Sequence, residues 1–103
     1  MTYTLRVTAR AVADADEAHA WMAKHFSSAQ ADRWYQGLFR HMETLTRQPQ
    51  RCPRAAESDK FPEELRELLY GKRKNKYRII FTIRGDAVFV LFIHHAARKE
   101  LEP

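Results

Sequence analysis

The sequence predicts an α+β fold in the order β-α-α-β-β-β, with a helical hairpin packed on a small, mostly antiparallel twisted sheet. Three observations carry that prediction. An alternating segment opens the chain, two stretches of helical period follow between residues 9 and 47, and an alternating strand meets an apolar one across Gly85-Asp86. At 103 residues, 45% of them apolar, the chain suits one folded domain spanning residues 1–103.

Tyr3-Thr-Leu-Arg-Val7 alternates and is rich in β-branched and aromatic types, so it reads as the first strand. Thr8 can then cap a helix from Ala9 to about His25, with Val12, Ala15, His19, Met22 and Phe26 at helical spacing. Ser27, with Gln30 three residues on, has capping-box spacing and starts a second helix to about Arg47. Trp34, Leu38, Met42 and Leu45 form its stripe, and so short a link makes the pair an antiparallel hairpin. Gln48 to Pro62 holds three prolines and reads as a surface loop. In Glu63 to Tyr70, Leu65, Leu68 and Leu69 suit a helical turn or a short strand, and the Gly71 and basic cluster that follow favour a strand entering from a turn. Tyr77 to Arg84 alternates: Tyr77, Ile79, Phe81 and Ile83 face one way, Arg78, Ile80, Thr82 and Arg84 the other. Glycine first in Gly85-Asp86 suits a type II′ hairpin turn, and Ala87 to His94 reads as a strand buried on both faces.

Charge is unevenly placed. Residues 1–69 carry ten Lys/Arg and ten Asp/Glu, whereas residues 70–103 carry eight against three, so the whole +5 surplus sits on the final strands and their flanks. With a pI near 9.7, this favours a polyanionic partner, an anionic surface or an acidic protein. The longest apolar run, Ala87 to Ile93, is far too short to span a membrane. Nothing at Met1–Thr8 looks like a secretory leader, and one cysteine, Cys52, precludes an internal disulfide. A cytoplasmic protein is expected. Cys52 itself reads as an exposed or loosely packed structural thiol.

No phosphate-binding glycine loop, paired-cysteine site or His-Glu-x-x-His motif is present, so no metal and no cofactor is expected. His94 and His95 are consecutive and face opposite sides of a strand, which suits them poorly to one metal. Cations and imidazole remain. Hairpin pairing brings Arg78 near the His95–Lys99 turn, where Arg78 and Arg98 suit a phosphate clamp and His95 a proton carrier. Together they fit metal-free attack of an RNA 2′-hydroxyl on its phosphodiester. Lys72, Arg73, Lys74, Lys76 and Lys99 fit substrate binding, or simply a solvated basic turn. Arg78 is equally readable as a solvated cation or ion-pair partner, and His94 as a hydrogen-bonded core residue.

From Leu65 to Leu101 the chain resembles the RelE/ParE superfamily of bacterial type II toxin–antitoxin toxins. The carrying segments are Leu65-Arg-Glu-Leu-Leu-Tyr-Gly71, Lys76-Tyr-Arg-Ile-Ile-Phe81, Arg84-Gly-Asp-Ala-Val88 and His95-Ala-Ala-Arg-Lys99. The resemblance implies a growth-arresting toxin held in hetero-oligomeric check by a cognate antitoxin. RelE-like members cleave messenger RNA on the ribosome, whereas ParE-like members poison DNA gyrase without nuclease chemistry. Arg78 falls on the family's strand arginine and Arg98 on the arginine after the last strand. No tyrosine follows Arg98, so in a nuclease His94 or His95 would replace the family's tyrosine acid/base. The Arg/His cluster favours an endoribonuclease acting on ribosome-bound mRNA. A gyrase inhibitor, or a non-catalytic basic RNA-binding module, is the alternative.

Overall fold

The computed structural model describes residues 2–97 of the chain. Strand β1 (Thr4–Val7) leads into helices α1 (Ala9–His25) and α2 (Ser28–Glu43). Three 3₁₀ turns follow, at Thr44–Thr46, Pro49–Arg51 and Ala56–Lys60, and then β2 (Arg66–Lys72), β3 (Asn75–Arg84) and β4 (Ala87–His95). The sheet order is β1-β4-β3-β2, with β1 parallel to β4 and the other pairs antiparallel. This is the predicted α+β architecture.

Local chemistry sets the helix starts. The Thr8 hydroxyl oxygen accepts from the Ala11 N–H at 3.2 Å and donates to the Val90 carbonyl at 2.8 Å, so one side chain caps α1 and ties it to β4. The Ser27 hydroxyl accepts from the Gln30 N–H at 3.1 Å and caps α2. The α1 stripe keeps Ala15 and Met22 of the predicted set but takes Ala11 in place of Val12 and leaves His19 and Phe26 outside the core. Ala11, Ala15 and Met22 are buried, while Val12 and His19 are half-buried and Phe26 is 60% exposed. Small alanines let the helix approach the sheet closely, a preference that hydrophobicity alone does not signal. Helix α2 buries Ala31, Leu38 and Met42 and ends at Glu43, where the chain tightens to 3₁₀ instead of continuing to Arg47.

One correction concerns the sheet. Strand β3, not β4, is the one buried on both faces, with Tyr77 to Thr82 all buried. In β4 only Val88, Val90 and Ile93 are buried. A register shift between Ile80 and Phe81 leaves Leu91 as an extra residue, so Val90 and Ile93, three apart, both join the helix-side core. That bulge turns an alternating strand into an apparently continuous apolar one. Gly85 takes φ +60° ahead of Asp86, as a II′ turn requires.

The predicted surface loop is in fact a structural layer. Pro49, Cys52, Ala55, Glu57 and Ser58 are buried, and Ala55 packs with Leu65 and Ile80 in a second core on the sheet face away from the helices. Cys52 is therefore no exposed thiol. It is 4% exposed, and burial pushes its pKa up against the opposing pull of Arg51 and Arg66.

Candidate functional site

Sequence reasoning places Arg78 and Arg98 as a phosphate clamp with His95 beside them as proton carrier. The register puts Arg78 opposite His94 and Tyr77 opposite His95. Residues directly opposite share a face, so Arg78 and His95 project from opposite sides of the sheet. The expected pair is not assembled.

Arg78 faces the 3₁₀ layer and is 9% exposed. Its Nη1 donates to Glu57 Oε2 at 2.7 Å, its Nη2 donates to the same carboxylate, and Nε and Nη2 reach Glu67 Oε1 at 3.1 and 2.9 Å. Glu57 is wholly buried. This bidentate bond to Glu57 holds the guanidinium even more firmly protonated, outweighing the effect of burial, with Glu67 adding to it. Two carboxylates thus occupy the donors that a phosphate would need. Arg78 is corrected from an anion clamp to the centre of an internal ion-pair triad.

His95 lies on the helix side, its ring edge-on to Tyr77 at 5.0 Å between centroids, with Nδ1 accepting from the Ala97 N–H at 3.1 Å. That bond leaves Nε2 as the protonated nitrogen of the neutral ring. Arg98 and Lys99 lie outside the described residues.

The basic cluster is ordered more closely than expected. Strand β3 begins at Asn75, so Lys72, Arg73, Lys74 and Lys76 form the tip of a tight β2–β3 hairpin, all exposed. Arg73 sits at φ +54°, where glycine is the usual occupant. Gly71, at φ +119°, has no room for a Cβ against the Asn75 carbonyl. The Ala96 N–H donates to the Lys76 carbonyl at 2.8 Å, bringing His95 beside this tip. The backbone therefore brings His95 beside the hairpin tip, while Arg78 faces the other side of the sheet.

Sequence reasoning missed a second feature on the helix side. A cavity of about 480 Å³ between α1 and the end of β4 is lined by Arg10, Asp14, Trp21, Tyr77, His94 and His95, among others. Asp14 Oδ2 accepts from the Ile93 N–H at 3.0 Å, capping the β4 edge where β1 has already ended. Trp21 is 49% exposed and stacks on His25. A tryptophan off the buried alanine stripe was the available signal. No group of three or more potential metal ligands occurs among the described residues, and no helix there is long and apolar enough to cross a membrane.

Comparison with known proteins adds family information. The family model described as "ParE toxin of type II toxin-antitoxin system, parDE" matches residues 5–100. A solved chain from the "Chromosomal ParDE TA system from P. aeruginosa" superposes with a TM-score of 0.76 at 19% identity, covering 91% of this chain and 96% of that one. No curated protein matches.

Proposed function

Because this chain belongs to the ParE toxin family of type II toxin–antitoxin systems, we propose that it arrests growth by inhibiting DNA gyrase, without nuclease chemistry of its own. As the toxin of such a module it has an antitoxin as its partner. Gyrase inhibition is the activity associated with the ParE branch, and action on gyrase places the protein in the cytoplasm.

One observation favours this reading over mRNA cleavage: Arg78, the cation best placed by sequence to steady a transferring phosphoryl group, is spent on Glu57 and Glu67. Ribosome-associated cleavage is the second reading. It rests on His95 lying beside Lys76 and the exposed cations of the hairpin tip, and it must run without Arg78. Purified toxin added to gyrase and relaxed plasmid separates the two. The gyrase reading expects supercoiling to stop, with ribosome-bound mRNA left whole. Codon-positioned cuts with undiminished supercoiling overturn it. His95→Ala is expected to retain full growth arrest, and its loss of arrest together with loss of RNA cutting would restore the nuclease.

A further inference from the structure

By composition residues 1–69 are neutral, ten cations against ten carboxylates. Folding undoes that balance locally. Among the described residues, every one of those carboxylates except Glu17 and Glu43 holds an ion pair or a hydrogen bond. Arg40, Arg47 and Arg51 hold no ion pair among the same residues, and they line one open hollow of about 520 Å³ past the end of α2. Two local features gather them. Gln48 sits at φ +46°, a conformation that residues with a Cβ rarely adopt, and reverses the chain between Arg47 and Arg51. Arg51 then folds back over the end of the helix.

Its Nη1 donates to the Thr44, Arg47 and Gln48 carbonyls, and its Nη2 to the Thr44 hydroxyl oxygen at 3.0 Å. These bonds fix the plane of the guanidinium before any ligand arrives. Arg40 and Arg47 are exposed, and neither side chain has a hydrogen-bond partner among the described residues. Arg33 stands two turns, about 10 Å, earlier on the same face of α2. The rest of the hollow selects the occupant. Its other lining residues are Glu43, Thr44, Thr46 and Gln48, so no apolar or aromatic side chain among the described residues lines it. A protein partner would need an apolar centre to anchor on, and a single strand would need rings to stack its bases. Guanidinium forks instead match phosphate oxygens in pairs, and an all-polar cationic surface suits a duplex backbone. Contacts to phosphate alone carry no sequence information. Glu43 opposes such a ligand, as the carboxylate on the rim.

We infer that the corner formed by Arg40, Arg47 and Arg51 seats the phosphate backbone of duplex DNA, without sequence preference. Gyrase works on duplex DNA, so the corner extends the gyrase reading and rests on it for the place where toxin and DNA meet. Binding itself belongs to the toxin alone, which keeps the two tests separate.

Fluorescence anisotropy of a labelled duplex of arbitrary sequence, titrated with the whole chain at several salt concentrations, measures it. Binding is expected to weaken as salt rises, each phosphate contact adding about 0.9 to the slope of log K against log salt. Arg40→Gln with Arg47→Gln, checked for an unchanged urea midpoint, is expected to lower that slope by about two and the affinity roughly sixtyfold at about 0.1 M salt. Glu43→Gln is expected to tighten binding. Lys72→Gln with Lys74→Gln, at the hairpin tip, is expected to cost less than the arginine pair. No duplex binding, an arginine pair that binds as the parent does, or a lysine pair that loses more overturns the proposal. So does polyglutamate or a single-stranded oligonucleotide binding the corner more tightly than the duplex. Toxin that binds duplex through Arg40 and Arg47 yet leaves supercoiling untouched would sink the gyrase reading and leave the DNA site standing.

Discussion

At the residue scale the molecule turns on Arg78. Removing it strands the Glu57 carboxylate in a fully buried site, and breaking such a pair costs about 3–5 kcal/mol. Arg78→Ala should therefore unfold at much lower urea. Replacing both partners with apolar residues, Arg78→Met with Glu57→Leu, should recover most of the loss, because the expense lies in the orphaned charge. The folded state raises the arginine pKa, so its contribution is complete at every pH below the guanidinium's ordinary titration and fades only above it. Acid or alkaline sensitivity near neutrality cannot come from this residue. Cys52 behaves differently. Burial raises its thiol pKa, so the unfolded chain ionises first and stability falls as pH climbs past the ordinary thiol value. Its labelling by a thiol reagent at mildly alkaline pH should be far slower in folded than in urea-unfolded protein. The sequence shows that Arg78 opposes Tyr77 across the strand. It does not show Glu57, which lies 21 residues earlier in a proline-rich stretch with no periodicity to assign its direction.

At the scale of elements, caps and alternation were legible because they are local. Thr8, Ser27 and the glycine of the II′ turn each act within a few residues of themselves. The 48–62 layer was not, since prolines exclude helix and central strand without saying whether the backbone that remains is exposed or packed. The hairpin and sheet meet at one narrow point. Gly37 of α2 lies beneath Tyr70, whose hydroxyl donates to the Trp34 carbonyl at 3.0 Å, and a Cβ on Gly37 would collide with that hydroxyl oxygen. Gly37→Ala gains about 1 kcal/mol of helix propensity and must displace the tyrosine to do so. In a Tyr70→Phe background the hydroxyl oxygen is gone and only a ring carbon at 3.3 Å must give slightly, so the same change should stabilise the protein. A double-mutant cycle by urea denaturation should then return a coupling of about 1 kcal/mol or more, and simple additivity would remove Tyr70 as the reason for the glycine.

On the scale of the whole molecule, β3 is shared by two cores. Ile79 and Phe81 pack with the helices, while Ile80 packs with Ala55 and Leu65 beneath the 3₁₀ layer. Among the described residues the smaller core has three buried apolar members, so apolar burial alone holds that layer weakly. The Glu57–Arg78–Glu67 triad ties the layer to β2 and β3 and makes its opening as costly as exposing a buried charge pair. Glu57→Gln keeps the shape and removes the charge, so it should loosen the layer before it loosens the fold. In native-state hydrogen exchange the amides of Ala55 and Ser58, bonded to Leu65 and Ala55, should then exchange through a sub-global opening well below the global unfolding free energy. Those of Ile79 and Phe81 should stay at the global limit. If all four amides slow or quicken together, the triad is no hinge pin, and the two cores form one cooperative unit held by packing through β3.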